Sequence, residues 1–285
     1  MKITDIIGGN TPSLSFEVFP PKTTDNFESV MSATESIAAL NPSFMSVTYG
    51  AGGGTSLFTA EIASRLLSRG VTPLAHLTCI SSTKAEIGAH LTDLRDRGIK
   101  NILAMRGDIP EGRHPTDYKY ASDLIREVRD FGGFTIGGAC YPEGHPDSAC
   151  GAKDIEALKI KVDSGCEFLT TQMFFDNNIL YNFMYRLYKA GVNVPIVAGI
   201  MPVTNAAQIK RIISISGNQL PQRFVRLVDR YGDNPAAMKQ AGIAYATEQI
   251  IDLFANGVNA VHVYSMNKPD VAGKIKENLS NIIGG

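Results

Sequence analysis

The sequence predicts an α/β fold, a single (β/α)8 (TIM) barrel, on three observations. Short β-forming runs alternate with amphipathic helical stretches along the chain, the runs number eight, and a glycine repeatedly closes a helix a few residues before the next strand. Alternation of this kind implies parallel pairing through right-handed crossovers. An open doubly wound sheet usually has fewer strands, so the count favours closure.

The predicted strands are Leu14–Val18, Phe44–Thr48, Thr72–Leu77, Asn101–Met105, Thr135–Cys140, Phe168–Gln172, Pro195–Gly199 and Ala260–Tyr264. After the first, Phe27, Val30, Met31, Thr34, Ile37 and Ala38 mark one face of a helix, with Asp25 as its N-cap. Another helix is expected from about Ala152 to Ser164, with Ile155, Leu158 and Val162 inward and Gly165 following. Gly70, Gly98, Gly191 and Gly257 occupy the same position after other helices. The connection from Val203 to about Asn259 is the longest, and Pro221 and Pro235 punctuate it, so extra helices are expected after strand seven. Neither a low-complexity linker nor an internal repeat divides the chain, and one domain over residues 1–285 is expected.

Bulk properties narrow the function. The 285 residues are 44% hydrophobic with a net charge of -1, and their charges are interleaved. No basic stripe points to nucleic acid. No apolar run is long enough to span a bilayer, and Met1 to Gly9 lacks a signal-peptide pattern, so a cytoplasmic location is expected. Cys79, Cys140, Cys150 and Cys166 form no Cys-x-x-Cys pair and read as structural free thiols. His76, His90, His114, His145 and His262 are unclustered, which disfavours a metal site, and the absence of Gly-x-Ser-x-Gly disfavours a serine hydrolase.

In such a barrel the chemistry belongs to the C-terminal ends of the strands. Those ends carry Glu17, Thr48 with Tyr49 and Ala51, His76, Arg106-Gly107-Asp108, Tyr141 with Glu143 and His145, Gln172, and Tyr264 with Asn267. Glu17 interrupts an apolar strand, Phe16-Glu17-Val18-Phe19, and must be paired or functional because a lone buried charge is costly. His76 alone reads equally as a satisfied core histidine. Gly52 to Gly54 suits either a lid or a phosphate cradle, since it lacks dinucleotide spacing. Asp154 and Lys161 fall on one helical stripe about 10 Å apart, a separation fit for a ribose hydroxyl and a phosphate. Lysine's ordinary fate on a helix is solvation.

Taken in order, these segments resemble the bacterial methylenetetrahydrofolate reductases. The matching pieces are Ser15-Phe16-Glu17-Val18-Phe19-Pro20-Pro21, Ser46-Val47-Thr48-Tyr49-Gly50-Ala51, His76-Leu77-Thr78-Cys79, Arg106-Gly107-Asp108, and Tyr118 through Leu124. They continue with Tyr141-Pro142-Glu143, His145-Pro146, Thr171-Gln172, Phe174-Phe175-Asp176, Gly199-Ile200-Met201-Pro202 and His262 through Asn267. The resemblance covers essentially the whole chain. It implies an FAD enzyme that uses NADH or NADPH to convert 5,10-methylenetetrahydrofolate to 5-methyltetrahydrofolate, and a homo-oligomer.

Carried over by position, Glu17 is implied as general acid and Asp108 as a catalytic residue touching flavin and folate. The implied FAD contacts are Arg106, Gly107, Asp108, Tyr120, Ala121, Tyr141, His145, Asp154 and Lys161. Thr48, Tyr49, Ala51, His76, Tyr141 and Gln172 are implied for the nicotinamide, and Asp108, Gln172, Gln208 and Lys268 for folate. Lys268 stands where the family usually has arginine, which keeps the charge and loses the planar fork. The regulatory region of animal relatives has no counterpart, so control by S-adenosylmethionine is not expected. Two other readings fit a barrel. A phosphate-binding lyase would need a strand-end lysine inside the barrel, which the pattern lacks. A non-catalytic flavin- or folate-binding subunit would have no use for a general acid.

Overall fold

The computed structural model describes residues 1–21, 23–49, 56–108, 117–209, 212 and 219–284. Eight parallel strands close into a barrel in sequence order, and the first pairs with the last. They are β1 (Ser13–Val18), β2 (Met45–Val47), β3 (Pro73–Thr78), β4 (Asn101–Met105), β5 (Thr135–Cys140), β6 (Phe168–Thr171), β7 (Ile196–Ile200) and β8 (Ala260–Tyr264). All eight predicted runs are strands, with ends moved by at most one residue.

Around them lie α2 (Phe27–Ala38), α3 (Ser56–Ser68), α4 (Lys84–Asp96), α5 (Ala121–Phe131), α6 (Gly151–Asp163), α7 (Asn177–Lys189), α8 (Gln222–Tyr231), α9 (Pro235–Ala255) and α10 (Pro269–Asn278). Short helices α1 (Ile3–Ile7) and α11 (Ser280–Ile283) flank the barrel in sequence. The pair α8 and α9 supplies the extra helices expected after strand seven. Asn234 caps α9 through the amides of Ala236 and Ala237, with Pro235 in the first turn where its missing N–H costs nothing. Asp25 does not cap α2. It sits inside a 3₁₀ turn, Thr24–Asn26, that leads into the helix, and Asn26 at the boundary makes no side-chain cap bond.

Two packing layers follow from the period of two in each strand. Outward residues such as Leu14, Phe16 and Val18 meet the buried helix faces in one large apolar cluster. The bottom of the interior is filled by Phe44, Leu74, Leu103, Phe168, Val197 and Ala260, and α1 seals it with Ile3 and Ile7. Asn101 holds that seal. Its Oδ1 accepts from the Ile3 amide at 2.9 Å, and its Nδ2 donates to the carbonyls of Met1 and Pro73, each at 3.2 Å. Higher up, Gly199 leaves room for Tyr264: a Cβ there would lie 2.4 Å from the Thr171 carbonyl and 2.5 Å from the Tyr264 hydroxyl. Cys79, Cys140 and Cys166 are buried free thiols, and Cys150 is exposed.

Asn101→Ala should therefore leave a buried amide and two carbonyls unpaired and lower stability by about 2 kcal/mol. A urea midpoint shift at unchanged slope is the expected reading. An unshifted midpoint would mean that α1 is not held by this residue.

Candidate active site

Glu17 sits near the C-terminal end of β1, where strand alternation turns its side chain into the barrel. Its neighbours in register are Ser46 on β2 and Tyr264 on β8. The loop after β8 fixes this end of β1. Ser265 Oγ donates to the Glu17 carbonyl at 2.6 Å, and Asn267 pairs with Phe19 in both directions at 3.0 and 2.9 Å. Asn267 reaches this position with φ +53°, a left-handed conformation that asparagine tolerates.

The carboxyl is enclosed but keeps 19% of its side-chain surface open. Burial pushes its pKa up to about 8, against a hydrogen bond with Ser46. His76 Nε2 lies 3.8 Å from Glu17 Oε2, too far for a hydrogen bond, and is itself buried without a partner among the described residues. Burial pushes His76 down to about 3. The two groups therefore face each other as neutral acid and neutral imidazole, not as an ion pair. Tyr264 closes the side: its hydroxyl donates to the Thr171 carbonyl at 2.5 Å, and burial holds its phenol well above the usual range.

Across the mouth, the ends of β4 and β5 and helix α6 bring together a second set. Arg106 pairs with Asp147 at 2.8 Å, and Tyr141 meets His145 edge-on with centroids 4.5 Å apart. Lys161 is not a solvated helix lysine. Its Nζ turns inward and donates to the Ala139 carbonyl at 2.7 Å, and burial lowers its pKa. Asp154 is buried on the same helix; burial raises its pKa, against Lys161, His145 and the backbone hydrogen bond from His145. Residues 154, 158 and 161 follow the spacing of one helical stripe, so the same pattern that marks Leu158 as core already marked Lys161 as inward. Gly107, at φ +84°, passes so close to Thr78 that a Cβ would lie 3.0 Å from that side chain. Asp108 is exposed beyond it, Tyr120 is 55% exposed, and Ala121 is buried at the start of α5.

The remaining predicted residues divide between the rim and positions outside the described residues. Thr48 and Tyr49 are half-buried after β2, and Tyr49 Oη lies 3.3 Å from His90 Nε2. Ala51 and Gly52 to Gly54 lie outside the described residues, as do Lys22, Gly50 and His114. Gln172 folds its Oε1 back onto the Met173 amide at 3.0 Å. Gln208 Oε1 is buried with no partner among the described residues, while its Nε2 contacts Met201 Sδ at 3.7 Å. Lys268 is exposed and donates to Thr204 Oγ1 at 2.9 Å, joining the loops after β8 and β7. Among the described residues no helix is long and apolar enough to cross a membrane, and no three His, Cys, Asp or Glu side chains gather as a metal site.

A buried acid opposite a cationic cluster, on strand ends that repeat a family's order, can be compared with known proteins. The family model for methylenetetrahydrofolate reductase matches residues 2–280. The chain belongs to this family. The reductase of Escherichia coli (strain K12) is 34% identical over 268 residues, covering 94% of this chain and 90% of its own. The NADH-named methylenetetrahydrofolate reductase 1 of Zea mays is 34% identical over 300 residues, covering 99% of this chain and 50% of its own. The chain thus spans about half the length of that plant relative. Among solved structures, an uncharacterised Clostridium thermocellum protein that binds two copies of 5-methyltetrahydrofolic acid shares the fold. Its TM-score is 0.67 at 13% identity, over 97% of this chain and 99% of that one. Sequence reasoning gave no role to Ser15, Ser46 or His262, although strand alternation places all three on the inner face with Glu17.

The raised pKa of Glu17 sets a stability window. The unfolded carboxyl ionises near the usual 4.5 and the folded one near about 8, so between these values the folded state holds the extra proton. Stability should then fall as pH rises through that window, by about 1.4 kcal/mol per pH unit relative to Glu17→Gln. Urea titrations of both proteins from acid to neutral pH check this; parallel curves would mean that folding leaves the Glu17 proton unchanged.

Proposed function

We propose that this barrel is itself a catalytic unit that reduces 5,10-methylenetetrahydrofolate to 5-methyltetrahydrofolate, with FAD resident, NADH or NADPH as electron donor and Glu17 as general acid. One observation carries the acid role: Glu17 is enclosed at the end of β1 beside Ser46, Tyr264 and His76, and burial pushes its pKa up to about 8. Opening the five-membered ring breaks the bond from the bridging carbon to one folate nitrogen. That nitrogen must leave protonated, and a carboxyl with a pKa of about 8 holds the proton until then. The bridging carbon left behind is electron-poor and takes up hydride. Enclosure by His76 and Tyr264 limits the water that would otherwise quench it.

The residues across the mouth fit an elongated dinucleotide. Lys161 and Arg106 supply cations suited to phosphates, Asp154 an acceptor for ribose hydroxyls, and Tyr141, His145 and Tyr120 aromatic surface. Gly107 and Ala121 supply close backbone approach. When bound, FAD would supply a two-electron carrier between the nicotinamide and the folate carbon. Asp108, exposed at the rim, offers a carboxylate to hydrogen bonds from the pterin. Gln208, whose buried oxygen has no partner among the described residues, offers an acceptor to folate, Gln172 reads an amide-like edge of either substrate, and Lys268 offers one cation to the folate tail. Thr48, Tyr49, Ala51 and His76 are assigned to the nicotinamide side with Tyr141.

Anaerobic spectroscopy of the flavin-loaded protein tests both halves. Bound flavin should bleach with NADH or NADPH and recover when methylenetetrahydrofolate is added. Glu17→Gln should still bleach but recover more slowly by a factor of about 10²–10⁴. Lys161→Ala should retain less FAD. A wild-type protein that takes up no flavin, or whose reduced flavin ignores the folate, would overturn the assignment.

A further inference from the structure

Two histidines face the inside of the barrel, and they are treated differently. His262, on β8, has a serine hydroxyl at each ring nitrogen: Ser15 Oγ lies 2.8 Å from Nδ1, and Ser46 Oγ 2.9 Å from Nε2. Its ring also stacks on Phe44 with planes 9° apart, so it is clamped in one orientation. His76, on β3, is also buried, yet its Nε2 has no partner among the described residues. An orphan nitrogen in a packed interior calls for a reason, since buried polar groups are otherwise paired.

The acid supplies that reason. Glu17 Oε2 faces this nitrogen from 3.8 Å, about 1 Å beyond hydrogen-bonding distance. While the carboxyl keeps its proton, a neutral ring is drawn to it weakly. A carboxylate attracts an N–H about twice as strongly and holds it at shorter range. A lysine or arginine in the place of His76 would ionise Glu17 outright and abolish the acid. An imidazole that burial pushes down to about 3 stays neutral and leaves the resting proton where it is.

We infer that His76 is a positioning residue for the Glu17 carboxylate, its Nε2–H standing off the protonated acid and closing on Oε2 as the proton passes to the substrate nitrogen. This rests on the reading of Glu17 as general acid and adds to the place of His76 on the nicotinamide side. The bond exists only once transfer has begun, so it favours the step without weakening the hold on the proton beforehand. The neighbours leave this task to His76. Tyr264 and His262 are the titratable groups that face the pair from β8. Tyr264 spends its proton on the Thr171 carbonyl, and His262 is held neutral by burial. In register, β2 sets Ser46 beside Glu17 and β4 sets Leu103 beside His76, and neither titrates. Ser46 pulls in the direction assigned to His76, lowering the Glu17 pKa against burial.

Two measurements on the full chain, without turnover, decide the matter. Nitrogen-15 spectra, with His76 assigned by its loss in His76→Gln, should show the ring proton on Nε2. That N–H should move downfield as pH rises through the Glu17 midpoint at about 8, and stay fixed in Glu17→Gln. A ring protonated on Nδ1 alone, or an N–H indifferent to the Glu17 titration, would overturn the proposal. Infrared titration of the Glu17 carboxyl, assigned by its loss in Glu17→Gln, gives the midpoint directly. His76→Leu, which removes the donor, should raise it by about one to two pH units. His76→Gln, whose amide can donate from a similar position, should bring it back toward the wild-type value. A His76→Leu midpoint that stays or falls counts equally against the proposal. If His76→Leu does not fold, the wild-type spectra still decide. Failure here would leave the flavin experiment untouched, and failure there would leave the titration-linked contact standing as a property of the barrel.

Discussion

Everything at the mouth depends on β1 pairing with β8. That closure sets Ser15 against His262 and Glu17 against Tyr264 across a sequence distance of nearly the whole chain. With the barrel shut, the inward polar side chains of its middle layer lose water and must satisfy one another. Ser15 and Ser46 do so through the two ring nitrogens of His262, whereas His76 Nε2 finds no partner among the described residues. The loop after β8 reinforces the same seam, because Ser265 and Asn267 bond to the backbone of Glu17 and Phe19. The acid is thus fixed by its own strand, its neighbour and the last turn of the barrel.

The mouth is electrically divided. On the β1, β2 and β8 side the inward groups Glu17, His262 and Tyr264 are each shifted toward their neutral forms, with burial the largest influence on each. On the β4 to β6 side Arg106 pairs with Asp147, and Lys161 turns inward on the helix that carries Asp154. A proton donor needs a low-dielectric wall to keep its proton, whereas a phosphate needs fixed positive charge. In the proposed reading, opposite sides of one barrel would meet both needs, since each strand end contributes separately and the interior between them is filled with side chains.

Much of this was legible in the sequence. Period-two runs marked the strands, and Gly70, Gly98, Gly191 and Gly257 marked helix ends, each at a left-handed φ. Glu17 was visible as a polar residue in an apolar strand. Its partners were not, because alternation says which residues face inward and nothing about which strand they face. Ser15, Ser46 and His262 become one network only through the register of β1 with β2 and β8. Lys161 shows a second limit: the lysine's typical exposure outweighed the stripe it shares with Leu158, and packing reversed that. Asp25 shows a third, since a 3₁₀ turn before α2 moved the helix start past it.

The seal under the barrel bears on how the chain is made. Ile3 and Met1 are bonded to Asn101, and Ile3 and Ile7 share a cluster with Phe44, just before β2, and with residues from β3, β4, β6, β7 and β8. During synthesis the first helix therefore leaves the ribosome long before its binding surface exists. It must wait as a short apolar segment until the eighth strand has been translated, because a helix of that length has no stability of its own. The residues of α1 are thus made well before the surface that buries them and are among the last to find their place.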